Sequence, residues 1–294
     1  MTSQTVWSQL TLVGNYILES PLRIGNGTTG TVLDSEGRPY IPGSTFRGAL
    51  RAYLESMLRV VHTPQHDTPQ TVTLRGSDGR PVSVTRMVTL CCDSVDKRDD
   101  DLNYQGCLTK AIVAKWEADP LLRPILAEAL VNNSCQVCRL FGASWLAGRV
   151  FVADLPVINS EWRGGFHTRG GLTLSRDRDV AIEGSRYERQ AVPSGTAFTF
   201  QLVAQNVTPA EQGMILLGLR AFESGMVLLG ADRARGFGRG HLAIDWWNCR
   251  YVDGDHLIDA LLGAETQPFT EVEAEARLNA FVAQLGKSYA SPHL

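Results

Sequence analysis

Apolar positions along this chain switch between two spacings, and each switch marks an element. Residues 9–18, Gln-Leu-Thr-Leu-Val-Gly-Asn-Tyr-Ile-Leu, alternate as one strand does. Phe46, Ala49, Leu50, Tyr53, Leu54, Met57 and Leu58 recur at the spacing of one helix face, which predicts a helix from about Thr45 to Val61. Pro42-Gly43 forms the turn before it, and Ser44 is placed to cap it. A strand-like piece follows around Val82 to Leu90, then helical patterns at Ala111 to Glu117 and Pro120 to Leu130. Strand spacing returns at Gly148 to Ile158 and is clearest at Thr196 to Val207. Pro209 opens a helix to about Phe222. Met226 to Leu229 and His241 to Trp247 read as strands, and two short amphipathic helices follow Asp253.

Without residues 62–134 the order is strand, helix, strands, helix, strand. That is the split βαβ of an α+β, RRM-like (ferredoxin-like βαββαβ) fold. The expected organisation is therefore a core of residues 1–61 and 135–252, with a C-terminal helical segment at 253–294. Residues 62–134, turn-rich and charged, read as an insertion and not as a second core. Their run Asp96-Lys-Arg-Asp-Asp-Asp101 reads as a solvated loop. A long hairpin without apolar periodicity lies at about 161–193, between two core strands.

Composition narrows the function classes. The 294 residues are 44% hydrophobic and 20% charged, as in soluble globular proteins. A net charge of −3 means that any nucleic-acid surface is local. No apolar run reaches the ~18 residues of a membrane span, so a cytoplasmic protein with no membrane partner is the expectation. Six cysteines in that compartment point to a metal or to burial before disulfides.

Five stretches carry candidate chemistry. The helix after Pro42-Gly43 delivers its N-terminus together with Arg47 and Arg51, which is either an anion site or an ordinary capped helix with solvated arginines. Ahead of it, Arg23 to Gly30 is a glycine-rich loop, which matters only if it faces the same groove as Ser44. Between Glu161 and Pro193, seven basic positions (Arg163, His167, Arg169, Arg176, Arg178, Arg186, Arg189) outnumber five acidic ones, so this is a grasping loop or a plain surface loop. Gly230 to Gly240 holds four glycines with Arg233, Arg235 and Arg239; Phe237 there can stack on a base or plug the core edge. Cys135-x-x-Cys138 is half of a zinc site, which Cys92 (or Cys91) and Cys107 would complete as a closed structural centre. His62 and His66 are reserves, reduced buried thiols are the alternative, and Cys249 reads as packing.

Three pieces together, Ile41-Pro-Gly-Ser-Thr-Phe-Arg-Gly-Ala-Leu-Arg51, Cys138-Arg-Leu-Phe-Gly142 and Gly230 to Gly240, resemble the RAMP superfamily of CRISPR proteins. Within it, the chain looks like the repeated backbone subunit of type III effector complexes, over about residues 9–250. The resemblance implies a ribonucleoprotein of antiviral defence whose partners are CRISPR RNA, target RNA and other RAMP subunits. It implies that Ser44, Thr45, Arg47 and Arg51 meet the guide backbone, with Arg23, His167, Arg169, Arg233, Arg235 and Arg239 completing the RNA-binding set. The 161–193 hairpin corresponds to a thumb that pushes between bases of the guide–target duplex. A structural zinc is compatible with the family. Relatives that cut target RNA hold an Asp at the position occupied here by Thr28, or within a residue of it. Thr28 cannot hold a divalent cation or take a proton as a carboxylate does. Asp34 is the nearest carboxylate, in a turn where capping is its expected job. The expectation is a subunit that does not cut by the usual aspartate, with magnesium entering only if it cleaves. The alternative is an endoribonuclease, either through Asp34 or as a guide-precursor processing enzyme with a base among His62, His167 and His241. A zinc hydrolase fits poorly, because the candidate ligands are mostly thiols.

Overall fold

The computed structural model describes residues 6–25, 31–61, 68–75, 78–92, 108, 110–160, 162, 164–171 and 187–286. In chain order the elements are β1 (Ser8–Leu18), β2 (Tyr40–Ile41), α1 (Gly43–Val61), β3 (Thr68–Arg75), β4 (Pro81–Val88), α2 (Lys110–Ala118), α3 (Leu126–Asn132) and α4 (Gln136–Phe141). There follow β5 (Val150–Val152), β6 (Leu155–Pro156), β7 (His167–Gly171), β8 (Tyr187–Ala191), β9 (Ala197–Gln205), α5 (Pro209–Glu223), β10 (Gly240–Ile244), β11 (Arg250–Asp253), α6 (Leu257–Leu261) and α7 (Glu271–Gln284).

Strand β1 shows why a sheet forms here. Leu10, Leu12, Tyr16 and Leu18, all on one side, are buried, and the intervening residues lie at the other face. It pairs antiparallel with β9 on one edge and with β10 and then β11 on the other, and β9 pairs with β5. The resulting order β10-β1-β9-β5 places the fourth, first, third and second core strands side by side. That is the ferredoxin-like arrangement the element order predicts. Helices α1 and α5 cover one face through a ring cluster: Phe46 stacks on Phe222 at 4.2 Å, with Phe200 at 5.0 Å and Tyr16 at 5.9 Å from Phe46. The other face presents Asn15, Thr199, Gln201 and Ala243, with His241 on β10 and the exposed Phe151 on β5.

Several elements differ from expectation for readable reasons. The 148–158 strand splits into β5 and β6, and β6 pairs with β2. Residues 226–229 form no strand: Val227 and Leu229 are buried, but Met226 is exposed, and the Leu229 N–H bonds to the Gly238 carbonyl across a loop. β3, with its Thr-Val-Thr-Leu alternation, and α4 were not foreseen. Hairpin β3–β4 and helices α2 and α3 build an apolar cluster of their own around Trp116, Ile112 and Leu122, which corrects the expectation of no second core. Trp145 packs against both clusters. The C-terminal segment is packing surface for the main core: α7 buries Ala274, Leu278 and Phe281 and lies along α5. Among the described residues no helix is long and apolar enough to cross a membrane.

Candidate nucleic-acid interface and cysteine centre

Helix α1 begins at Gly43, so Ser44 lies inside its first turn and not at its cap. The Gly43 N–H donates to the Asp154 carboxylate at 2.8 Å, which places the cap in the turn between β5 and β6. Ser44 is exposed and Thr45 half-buried. Arg47 turns inward: its Nε donates to the Val150 carbonyl at 2.8 Å, Nη2 donates to the Phe141 carbonyl, and the guanidinium sits over the Phe141 ring at 5.7 Å. Arg51 donates to Glu55 at 2.8 Å and to the Gly142 carbonyl at 2.9 Å, with Nη2 3.6 Å from Cys138 Sγ. These two arginines clamp α1 to β5 and to the end of α4.

The arginines of the loops meet elsewhere, around Asp232. Its side chain, only 7% exposed, accepts from Arg189 Nη1 at 2.6 Å, Arg235 Nη1 at 2.8 Å and Arg23 Nη1 at 3.3 Å. Burial alone would raise the Asp232 carboxyl; the Arg235 hydrogen bond and the Arg189 and Arg23 charges outweigh it and hold the group below its ordinary value. Three distant segments (the approach to the first glycine-rich loop, strand β8, and the 230–240 loop) thus become one basic surface. Arg235 remains 58% exposed and can still reach a ligand. Arg169 on β7 joins it, donating to the Arg235 carbonyl at 3.0 Å with its guanidinium 5.4 Å from the centre of the Phe237 ring. Phe237 is buried, so it plugs the core edge. Arg233 is exposed and lines a groove of about 440 Å³ with Ala49, Tyr53 and Met226. Arg239 faces a different cluster, in which His241 and Arg239 hold the Glu19 carboxyl below its usual range.

The glycines of the 230–240 loop serve the fold first. A Cβ on Gly238 (φ 84°) would lie 1.9 Å from the Leu229 carbonyl oxygen, and one on Gly230 (φ 75°) would lie 2.2 Å from that of Arg23. Close approach is needed here, but to the chain's own backbone. His167, at the start of β7, is exposed. Asp34 accepts the N–H groups of Glu36 and Arg38, each at 2.9 Å, and Arg38 Nε at 3.0 Å. Those bonds hold a turn, with the carboxyl below its ordinary value chiefly through the Arg38 N–H. Thr28 lies outside the described residues, as do His62, His66, Cys107, Arg163, Arg176, Arg178 and Arg186.

Cys92, Cys135 and Cys138 bring their sulfurs within 4.8 Å of one another, the last two buried. Cys92 and Cys138 are 3.7 Å apart. Zinc–sulfur bonds of about 2.3 Å in a tetrahedron require sulfurs about 3.8 Å apart, so this donor set fits such an ion. Cys135 is the N-cap of α4, and its Sγ accepts the Cys138 N–H at 3.4 Å. Of the adjacent pair Cys91 and Cys92 it is therefore Cys92 that joins; burial, with Cys135 nearby, pushes the Cys91 thiol up to about 12. Cys249 is buried away from this group.

Sequence reading missed Asp154 and Asp232. Asp232 carries a signal, being the one acidic residue between Gly230 and Gly240. Asp154, in the middle of a strand-like stretch, carries none. Comparison of the chain with curated proteins returned no match. The family model of the RAMP superfamily matches residues 16–241, a span that holds α1, the core strands β5 and β9, α5, the hairpin, the Asp232 cluster and the three thiols. The chain belongs to the RAMP superfamily, whose members are CRISPR-associated RNA-binding proteins.

Proposed function

We propose that this chain is a guide-RNA-binding backbone subunit of a type III CRISPR effector complex, working beside other RAMP subunits and target RNA. The observation that carries this reading is the Asp232 cluster, which gathers Arg23, Arg189 and Arg235 beside the base of the β7–β8 hairpin. A basic surface of this kind holds phosphates and sets register, while guide–target pairing reads sequence. Ser44, Thr45, Arg169, Arg233, Arg235 and His167 are the exposed or half-exposed contacts, and Arg239 extends them. Arg47 and Arg51 serve the same groove by fixing α1. The thiols of Cys92, Cys135 and Cys138 would hold a structural zinc, with Cys107 as the fourth ligand. This ion would supply a crosslink between the insertion and the core, not a reaction centre.

The subunit does not cut target RNA through Asp34, because both Asp34 oxygens hold the 34–38 turn. Two assays test the reading. The full chain should shift unstructured RNA and repeat RNA in gels without cleaving either, with or without EDTA; cleavage of repeat RNA would move the assignment to a processing ribonuclease. In the assembled complex, Asp34→Ala should leave every target cut in place. Loss of a cut opposite this subunit would make Asp34 catalytic.

A further inference from the structure

Strand β3 pairs with β4 in a two-stranded sheet, so its other edge offers backbone groups to whatever lies beside it. The register says which residues point that way. Pro69 and Pro81 have no N–H, and they stand opposite Met87 and Arg75, so neither pair exchanges two hydrogen bonds. The Arg75 N–H accordingly turns away from β4 and donates to the Asp119 carboxylate at 2.6 Å. Backbone groups alternate sides along a strand, so the N–H and C=O of Thr71 and Thr73 face the same outer edge. Among the described residues no other backbone group meets them there.

A groove of about 360 Å³ borders β3, with residues 70–73 on one wall and Leu121, Ile125 and Glu128 on the other. Leu121 and Ile125 are exposed apolar side chains. Asn133, 2% exposed, also lines the groove and donates its amide to the Ala129 carbonyl at 2.9 Å. Its Oδ1 meets no donor among the described residues, so an acceptor is left for an incoming N–H. Glu128 stands there with no described Lys or Arg in the lining, which disfavours RNA and suits a cation. Outward N–H and C=O groups at strand spacing are matched by another extended backbone, as in strand addition to a sheet edge. Pro69 at one end and the Arg75–Asp119 bond at the other close the edge, so an added strand is short and bonds at Thr71 and Thr73.

We propose that the β3 edge binds an extended segment of another protein as a third strand, with an apolar side chain against Leu121 and Ile125 and a Lys or Arg beside Glu128. The inference stands apart from the RNA-binding reading. The probe is a short fluorescein-labelled peptide of alternating valine and threonine with a lysine at each end, titrated into the full chain by fluorescence anisotropy. Wild type should bind it. Two further peptides carry N-methyl groups on alternate amides, one in each phase, which keeps the side chains and removes half of the donors. The phase that loses the edge-facing donors should bind about tenfold more weakly. Thr73→Pro removes an outward N–H and spares the β3–β4 ladder, as Pro69 and Pro81 do, and should weaken the unmodified peptide by a similar factor.

Amide hydrogen exchange reads the edge itself and needs no variant. In the free chain the Thr71 and Thr73 amides should exchange fast and Val72 and Leu74, turned toward β4, slowly. Saturating peptide should slow Thr71 and Thr73 alone. Equal binding of all three peptides overturns strand addition and leaves a plain apolar groove. Slow exchange of Thr71 and Thr73 in the free chain overturns an outside partner. If it is slow at every protein concentration, a segment of this chain covers the edge; if it slows with concentration as a dimer sediments, a second copy does. Wild type that neither binds the unmodified peptide nor changes its exchange overturns the site.

Discussion

Asp232 adopts φ 61°, a left-handed conformation that Asp and Asn enter more readily than most other side chains. Asp232→Asn therefore keeps the backbone and removes only the charge that three arginines share. Stability measured by urea unfolding at pH 7 should fall by about 2 kcal/mol, the scale of hydrogen bonds to a charged group. The sign of its pH dependence follows from the depressed folded-state value. The carboxylate contributes fully above its unfolded pKa of about 3.9 and loses that contribution as pH falls through the lower folded value. Wild type and Asp232→Asn should thus converge in stability on acidification below about pH 4. A difference that persists at low pH would show that the cluster does not depend on this charge. Arg47 makes the opposite case among the cations, since backbone carbonyls already occupy it. Arg47→Met should cost about 2 kcal/mol in the same unfolding assay and leave the salt slope of RNA binding as in wild type. A flattened slope would place Arg47 on a phosphate.

At the scale of elements, α4 poses the sharpest physical question, because six residues cannot hold a helix alone. Its two ends are both tied. Cys135 and Cys138 sit at its start in the thiol group, and Arg47 and Arg51 take the carbonyls of Phe141 and Gly142 at its end. Arg51 also touches the thiol group, 3.6 Å from Cys138 Sγ, so α1 and the cysteine centre are one unit. Elemental analysis of the purified chain should give one zinc per molecule. Cys135→Ser combined with Cys138→Ser should lose it and lower the melting temperature. A metal-free wild type would leave the group as packed thiols.

Across the whole molecule, the C-terminal segment completes the fold. Phe281 is 1% exposed against α5, where Gly213 lets the α7 backbone come close: a Cβ there would meet the Arg277 carbonyl at 2.3 Å. Phe281→Ala should cost about 3–4 kcal/mol in thermal or urea unfolding. A loss near zero would mean that α7 is an appendage.

Much of the architecture was legible because it is local. Period-two burial in β1 and β9 and the helical stripe of α1 follow from which side chains avoid water, and with three motifs they determined the ferredoxin-like core and its family. The thiol pair Cys135-x-x-Cys138 was legible for the same reason, since one turn of chain sets its geometry. What neighbours across space decide was not. Arg23 meets Asp232 across 209 positions, Gly43 meets Asp154 across 111, and Arg47, which the family resemblance places at the guide backbone, bonds to carbonyls from β5 and α4. A guanidinium offers the same donors to a phosphate and to a backbone oxygen. By itself the sequence determined which stretches carry positive charge. Only the tertiary structure decided which of those charges the fold consumes and which it leaves at the surface.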